Sequence, residues 1–176
     1  VVGSDKDATK NSDIGAMWML ANFTGNTDLK NRRLPLIRNF KLLQIEDASS
    51  SISGAIKGQY YLRKTDRWVE EWGDHTEPIA LTYYNMLDIG NILLFEPDDH
   101  ELRSYLSLGA ERLLHWQQED GSWAMGYHKD LSGEVYEDLQ DFRPTFYGLM
   151  VAYKILGEEK YLHAAIKGAD WLIDQG

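Results

Sequence analysis

Carboxylic acids and an imidazole lie near the ends of two long polar segments, at about residues 46–75 and 119–141. Glycoside hydrolysis needs two carboxyl groups about 5–9.5 Å apart, one protonated and one ionised. The groups that we predict to form or support such a pair are Asp74 and Asp141 as the first choice, Asp138 in reserve, and His75 to orient or bind. Asp74 and Asp141 also have a structural alternative, because an anion stabilises the start of a helix, and His75 could be a polar cap.

Aromatic side chains and one arginine accompany the acids in these segments and just after them. The C–H faces of a sugar stack on aromatic rings, while its hydroxyls bond to carboxylates. We predict sugar contacts by Trp68, Trp72, Trp123, Tyr127, Arg143 and Tyr147. Three alternatives stay open: Trp68 and Trp72 could anchor the first loop, Trp123 could pack over its own turn, and Arg143 could form an ion pair at the rim of the site.

The chain as a whole is acidic, with 18 Lys and Arg against 28 Asp and Glu and a net charge of −10. Nucleic acids and anionic membranes need a basic face, so neither is expected as a partner. No run approaches the ~18 consecutive apolar residues of a membrane helix. The absence of cysteine excludes disulfides and a cysteine nucleophile. The histidine spacing matches no metal motif, so we predict no metal and no cofactor.

Helical periodicity dominates the apolar pattern, and strands are almost absent from it. Three segments are apolar nearly all round, as is typical of helices buried on both sides: residues 13–23, 78–94 and 144–156. They alternate with segments that carry one apolar stripe and a charged opposite face: about residues 27–45, 99–118 and 159–175. We predict one all-α domain over 1–176, built from three helical hairpins: 13–45, 76–118 and 144–175.

The hairpins repeat in sequence. A shift of 73 residues, from 44 to 117, places Gln44 on Gln117 and Asp47 on Asp120, and a shift of 58 places Gln117 on Gln175. Such repeats bury their inner faces only by stacking on neighbours. We therefore expect the rest of a larger chain, or another subunit, to pack on helices 13–23 and 144–156. The residues expected near these open flanks are Met17, Trp18, Phe146 and Met150.

Two motifs resemble those of known enzymes. The segment Leu156-Gly157-x-x-Lys160-Tyr161-Leu162 resembles the outer-helix repeat of α/α-toroid, six-hairpin carbohydrate enzymes. Gln117-x-x-Asp120-Gly121-Ser122-Trp123 resembles the Q-x-x-D-G-x-W repeat of triterpene cyclases, which share the toroidal fold. The D-x-D-D proton donor of the cyclases is absent, so the cyclase function is not expected. The Gln44 copy has Ala48-Ser49-Ser50 in place of Gly-x-Trp, so its loop should be built differently.

The resemblance implies a substrate cleft on the face where the long loops enter the inner helices. It implies a glycoside hydrolase acting on an oligo- or polysaccharide. A polysaccharide lyase of the same fold is the first alternative, because Lys57, Arg63, Lys64 and Arg67 cluster in the first long segment. A non-catalytic glycan-binding or structural domain is the second. For such a chain we favour a secreted or periplasmic location, although the lack of cysteine fits the cytosol equally.

Overall fold

Six helices and five short strands make up the described part of the chain. The computed structural model describes residues 6–8, 14–31, 44–56, 59–62, 67–70, 75–76, 78–128, 135 and 140–175. The helices are α1 (Ile14–Thr24), α2 (Thr27–Lys30), α3 (Pro78–Leu93), α4 (His100–Trp116), α5 (Phe146–Leu156) and α6 (Glu159–Asp174). The strands are β1 (Lys6–Ala8), β2 (Gln59–Leu62), β3 (Arg67–Glu70), β4 (His75–Thr76) and β5 (Tyr127–His128). The prediction of a helical, all-α core is confirmed.

Helix α3 is the centre of the core and contacts α1, α4 and α5. Its close approach to two neighbours depends on glycines. A Cβ at Gly15 would overlap Asp88, and a Cβ at Gly90 would overlap Val151 of α5. Helices α1, α3 and α5 therefore lie side by side, while α6 packs mainly on α5 and also touches α4. The all-round apolar sequence of α3 follows from this position, because it has neighbours on several sides.

The two helices beside α3 are only partly covered. Helix α1 buries Trp18 and Ala21 but exposes Leu20 and Phe23, and α5 buries Leu149 and Ala152 but exposes Tyr147 and Met150. Of the residues expected on open flanks, Met150 is exposed at 39%, while Met17 and Phe146 are half-buried. Trp18 is 3% exposed, so its expected place on the flank is wrong: its position along α1 turns it toward the core.

The strands lie outside the helical core, and the near absence of strands in the sequence pattern needs correction. Strands β1, β2 and β3 form an antiparallel sheet in that order, with Asp7 opposite Tyr61 and Tyr61 opposite Trp68. Both β2 and β3 contain aromatic or β-branched residues, which favour a pleated surface. Strands β2 and β3 are only four residues long, so their apolar pattern does not distinguish them from a loop.

The predicted helix at 27–45 is described only at its start. Helix α2 covers Thr27–Lys30, and residues 32–43 lie outside the described residues. None of the described helices combines the length and the apolar character needed to cross a membrane.

The Q-x-x-D-G-x-W segment ties α4 to α6. The side-chain amide of Gln117 donates to the carbonyl oxygens of Gly121 at 3.0 Å and Ala164 at 2.8 Å. Trp123 donates from its indole nitrogen to the Leu113 carbonyl at 2.8 Å, in the last turn of α4. The backbone N–H of Gln117 donates to the same carbonyl at 3.1 Å, so Gln117 and Trp123 together satisfy this helix end. The motif has a structural role, because the Gln117 amide and the Trp123 indole N–H both donate hydrogen bonds within the fold.

The Gln44 copy makes the same kind of connection one helix pair earlier, to α4. Its amide donates to the carbonyl oxygens of Gly54 and Tyr105, both at 3.0 Å. Gly54 and Gly121 both have positive φ angles, +87° and +101°. The loop is longer, since the glycine follows the glutamine by ten positions and not by four. The expectation of a differently built loop is thus confirmed, although the bonds that anchor it are conserved between the two copies.

Candidate functional site

The end of the first long segment pairs with the middle of the second, immediately before α3 begins. Strand β4 pairs with β5 in antiparallel register, with His75 opposite His128 and Thr76 opposite Tyr127. Helix α3 begins at Pro78, two residues after β4. The second segment also pairs with itself, through a bridge between Ala124 and Gln140 that precedes Asp141. Both segments therefore deliver their last residues next to the first turns of long helices.

Asp141 is the best-defined acid in this region. It is 1% exposed, and its Oδ1 accepts hydrogen bonds from the backbone N–H of Arg143 at 3.0 Å and from Arg143 Nε at 2.6 Å. The Asp141 backbone N–H donates to the Trp123 carbonyl at 2.7 Å. Its second oxygen, Oδ2, has no hydrogen-bond partner among the residues that the structure describes. A carboxylate oxygen without a partner can accept a hydrogen bond from a hydroxyl of a bound molecule, or a proton from it.

Tyr83 lies near this ion pair. Burial raises the pKa of Tyr83, the hydrogen bond with Tyr84 and the negative charge of Asp141 raise it further, and the positive charge of Arg143 opposes them. The two tyrosine rings are 4.3 Å apart, centroid to centroid. Tyr83 is therefore a neutral hydrogen-bonding group and a poor general base. Sequence analysis missed both tyrosines, because they stand in the first two turns of a helix that reads as uniformly apolar; the adjacent pair at a loop-facing helix start was the available signal.

A second aromatic pair opens α5. The rings of Phe146 and Tyr147 are 4.9 Å apart, and Tyr147 is 52% exposed. Its ring therefore has a face available for stacking. Arg143, predicted to contact a sugar, is half-buried and pairs with Asp141, as the rim ion-pair alternative supposed.

The structure does not favour Trp123 as a sugar-binding residue. Its side chain is 2% exposed and its ring lies against Gly168, where a Cβ would overlap the indole. The tryptophan fills the space between the loop and α6, so no ring face is open to a ligand. We leave it out of the proposed site.

Several other predicted residues carry less structural information. Asp74, Trp72 and Asp138 lie outside the described residues. For His75, Trp68 and Tyr127 the structure gives the backbone alone: Trp68 pairs with Tyr61 in a different sheet from the β4–β5 pairing. Among the described residues, no group of three His, Asp or Glu side chains could hold a metal ion.

Comparison with models of known protein families, with curated proteins and with solved structures found no match. The functional argument therefore rests on the geometry of this chain.

Proposed function

We propose that this chain is part of a carbohydrate-active enzyme of the α/α-toroid type, and that it cleaves glycosidic bonds by hydrolysis. The substrate would bind on the face where β4, β5 and the start of α5 come together. The observation that carries the proposal is Asp141: a buried carboxylate beside Tyr83 and Tyr84, fixed through one oxygen and without a hydrogen-bond partner at the other among the described residues.

The helix arrangement supports the toroidal part of this proposal. Helices α1, α3 and α5 lie side by side, and each following helix packs against the one before it through a short link. The bonds of Gln44 and Gln117 repeat from one helix pair to the next. Repeated contacts of this kind are the basis of architectures in which each unit packs on its neighbours.

The chemistry follows from the roles open to each group. Asp141 would act as one of the two carboxylates, held in place by Arg143 so that Oδ2 points to one position. The second would be Asp74 or Asp138, the first of which lies one residue before β4. Tyr147 would stack on a sugar ring, and the half-buried Tyr84 would bond to a hydroxyl.

Hydrolysis fits these contacts better than elimination. A polysaccharide lyase needs a base such as tyrosine or histidine and a free cation for the uronate. The pKa of Tyr83 is raised by its burial, and Arg143 already binds Asp141 through Nε. The described tyrosine and arginine are thus poorly suited to the lyase roles.

A substrate screen tests the proposal. The chain, alone and within any longer natural polypeptide, is incubated with neutral and with uronic-acid oligosaccharides. We expect new reducing ends from neutral substrates and no ultraviolet absorbance from unsaturated products. Unsaturated products would favour the lyase, and binding without turnover would favour a glycan-binding domain.

Asp141→Asn provides the matched test of mechanism, because it keeps the side-chain shape while removing the charge. We expect turnover to fall by at least about 10²-fold, the usual scale for a lost acid or base. Gln140→Glu at the neighbouring half-buried position serves as a control for added or removed charge. Unchanged turnover with a lower melting temperature in Asp141→Asn would show that the carboxylate only shapes the loop.

A further inference from the structure

Helix α4 shows the contacts by which one helix pair packs against the next. On the side that faces α5 and α6, Arg103 donates to the Ile155 carbonyl at 3.1 Å. On the same side Glu111 pairs with Lys160 at 2.6 Å and accepts a hydrogen bond from Tyr161. Leu114 of this face is partly buried against the core.

The register between α4 and α6 is fixed by contacts that the two helices make in the same way. The Gln44 amide donates a hydrogen bond to the Tyr105 carbonyl of α4, and the Gln117 amide donates one to the Ala164 carbonyl of α6. The glycines that follow approach the carbonyls of Leu108 and Lys167 in the same way. Both pairs of positions differ by 59 residues.

That register sets Asp170 against Glu111 and Ile173 against Leu114. Leu114 of α4 is half-buried, whereas the matching position of α6 is open to solvent. Ile173 is 72% exposed and Ile166, one turn before Asp170, is 49% exposed. Asp170 is exposed and has no ion-pair partner among the described residues. We call Ile166, Asp170 and Ile173 the open face of α6.

We propose that the open face of α6 is a docking surface for a further helix pair of this same repeat. The occupant's outer helix would present a lysine and a tyrosine in its first turn to Asp170, as Lys160 and Tyr161 are presented to Glu111. Its apolar stripe would cover Ile166 and Ile173. Gln175 directly follows α6, which has 16 residues, as Gln117 directly follows α4, which has 17, and Gln175 would donate to a carbonyl of that helix. The inference is independent of what the candidate site binds.

A chain extended by its own repeat tests the proposal directly. Residues 119–175 are copied after Gly176, so that Gln175 is followed by the loop that normally follows Gln117. We expect the extended chain to gain helix in proportion to the copy, to unfold in one transition and to remain monomeric. A separate second transition, or no gain in helix, would overturn the proposal.

Ile173→Asp then reports whether the face is covered. In the original chain, where Ile173 is exposed, the substitution should lower Tm by no more than about 2 °C. In the extended chain it should lower Tm by roughly 5 °C or more. Leu20→Asp, exposed on α1 at the other end of the described core, should shift Tm equally in both chains. Equal shifts for Ile173→Asp would contradict docking on α6. So would a dimer of the original chain that Ile173→Asp dissociates, since a second copy would then be the occupant.

Discussion

Gln44 and Gln117 make the same pair of hydrogen bonds. Each side-chain amide donates to a glycine carbonyl in the following loop and to a helix carbonyl, which belongs to α4 for Gln44 and to α6 for Gln117. The acids three residues later also match. Asp47 accepts from the hydroxyl and backbone N–H of Ser49, and Asp120 does so from Ser122. These bonds, first the one from the serine hydroxyl, lower the pKa of both carboxyls. The two copies therefore share hydrogen bonds as well as sequence.

Gln117→Ala should destabilise the fold. The substitution removes two hydrogen bonds and leaves the carbonyls of Gly121 and Ala164 without this donor, at a cost of about 1–3 kcal/mol. For a chain of this size that corresponds to a fall in Tm of roughly 2–10 °C. Thermal unfolding followed by circular dichroism measures it. Gln175→Ala, at an exposed helix end, is the control and should leave Tm nearly unchanged; equal effects of the two substitutions would contradict the structural role of the amide.

Gly121→Ala should cost more than Gly157→Ala. Both glycines have a positive φ, +101° and +79°, which a Cβ disfavours by about 1–2 kcal/mol. At Gly121 the new Cβ would also overlap the Lys167 carbonyl, whereas at Gly157 nothing lies within 4 Å. Urea unfolding of both variants separates backbone strain from steric overlap. A smaller loss of unfolding free energy at Gly121 than at Gly157 would show that the loop moves freely away from α6.

Glu111→Gln should destabilise the chain near neutral pH and lose its effect in acid. Burial raises the pKa of Glu111, but hydrogen bonds from Lys160 and Tyr161 outweigh it, and the pKa lies below its ordinary value of 4.5. A carboxyl with a lowered folded-state pKa stabilises the fold above its unfolded pKa, and this contribution disappears as the pH falls through the folded value. We expect a loss of about 1 kcal/mol at pH 7, mainly for the hydrogen bond with Tyr161.

The measurement for Glu111 is the unfolding free energy of both proteins between pH 7 and pH 3. Glu119→Gln, at an exposed position after the end of α4, controls for the general loss of negative charge. A difference between wild type and Glu111→Gln that persists unchanged at pH 3 would contradict the assigned ion pair and hydrogen bond.

Tyr147→Ala should weaken carbohydrate binding without weakening the fold. The ring is half exposed at the start of α5, so its removal leaves the core intact. Loss of one stacking contact, about 0.5–1.5 kcal/mol, would raise KM by roughly 2–10-fold with little change in kcat. Steady-state kinetics on the substrate found in the screen measure this. Met150→Ala, exposed on the same helix and lacking a ring, should leave KM unchanged; a larger KM effect there than at Tyr147 would place the sugar elsewhere.

The sequence alone determined the helical core and the repeat. Residues 78–94 are apolar all round because α3 has neighbours on several sides, and Gln44 aligns with Gln117 in the sequence alone. Periodicity carries such information because it reflects which faces of a helix lose water. Asp141 was also identifiable, as an acid at the end of a long segment next to a helix start.

Tertiary structure decided what periodicity could not express. Trp123 lies in a loop and looks like a ligand-stacking residue until its indole is found bonded to Leu113 and packed on Gly168. Tyr83 is hidden in an apolar helix until its proximity to Asp141 and Arg143 is known. Whether a side chain faces a neighbour or solvent depends on which helices pack together, and those contacts join residues far apart in the chain. The sequence specifies the faces of each helix, and only their packing decides which of those faces is left open.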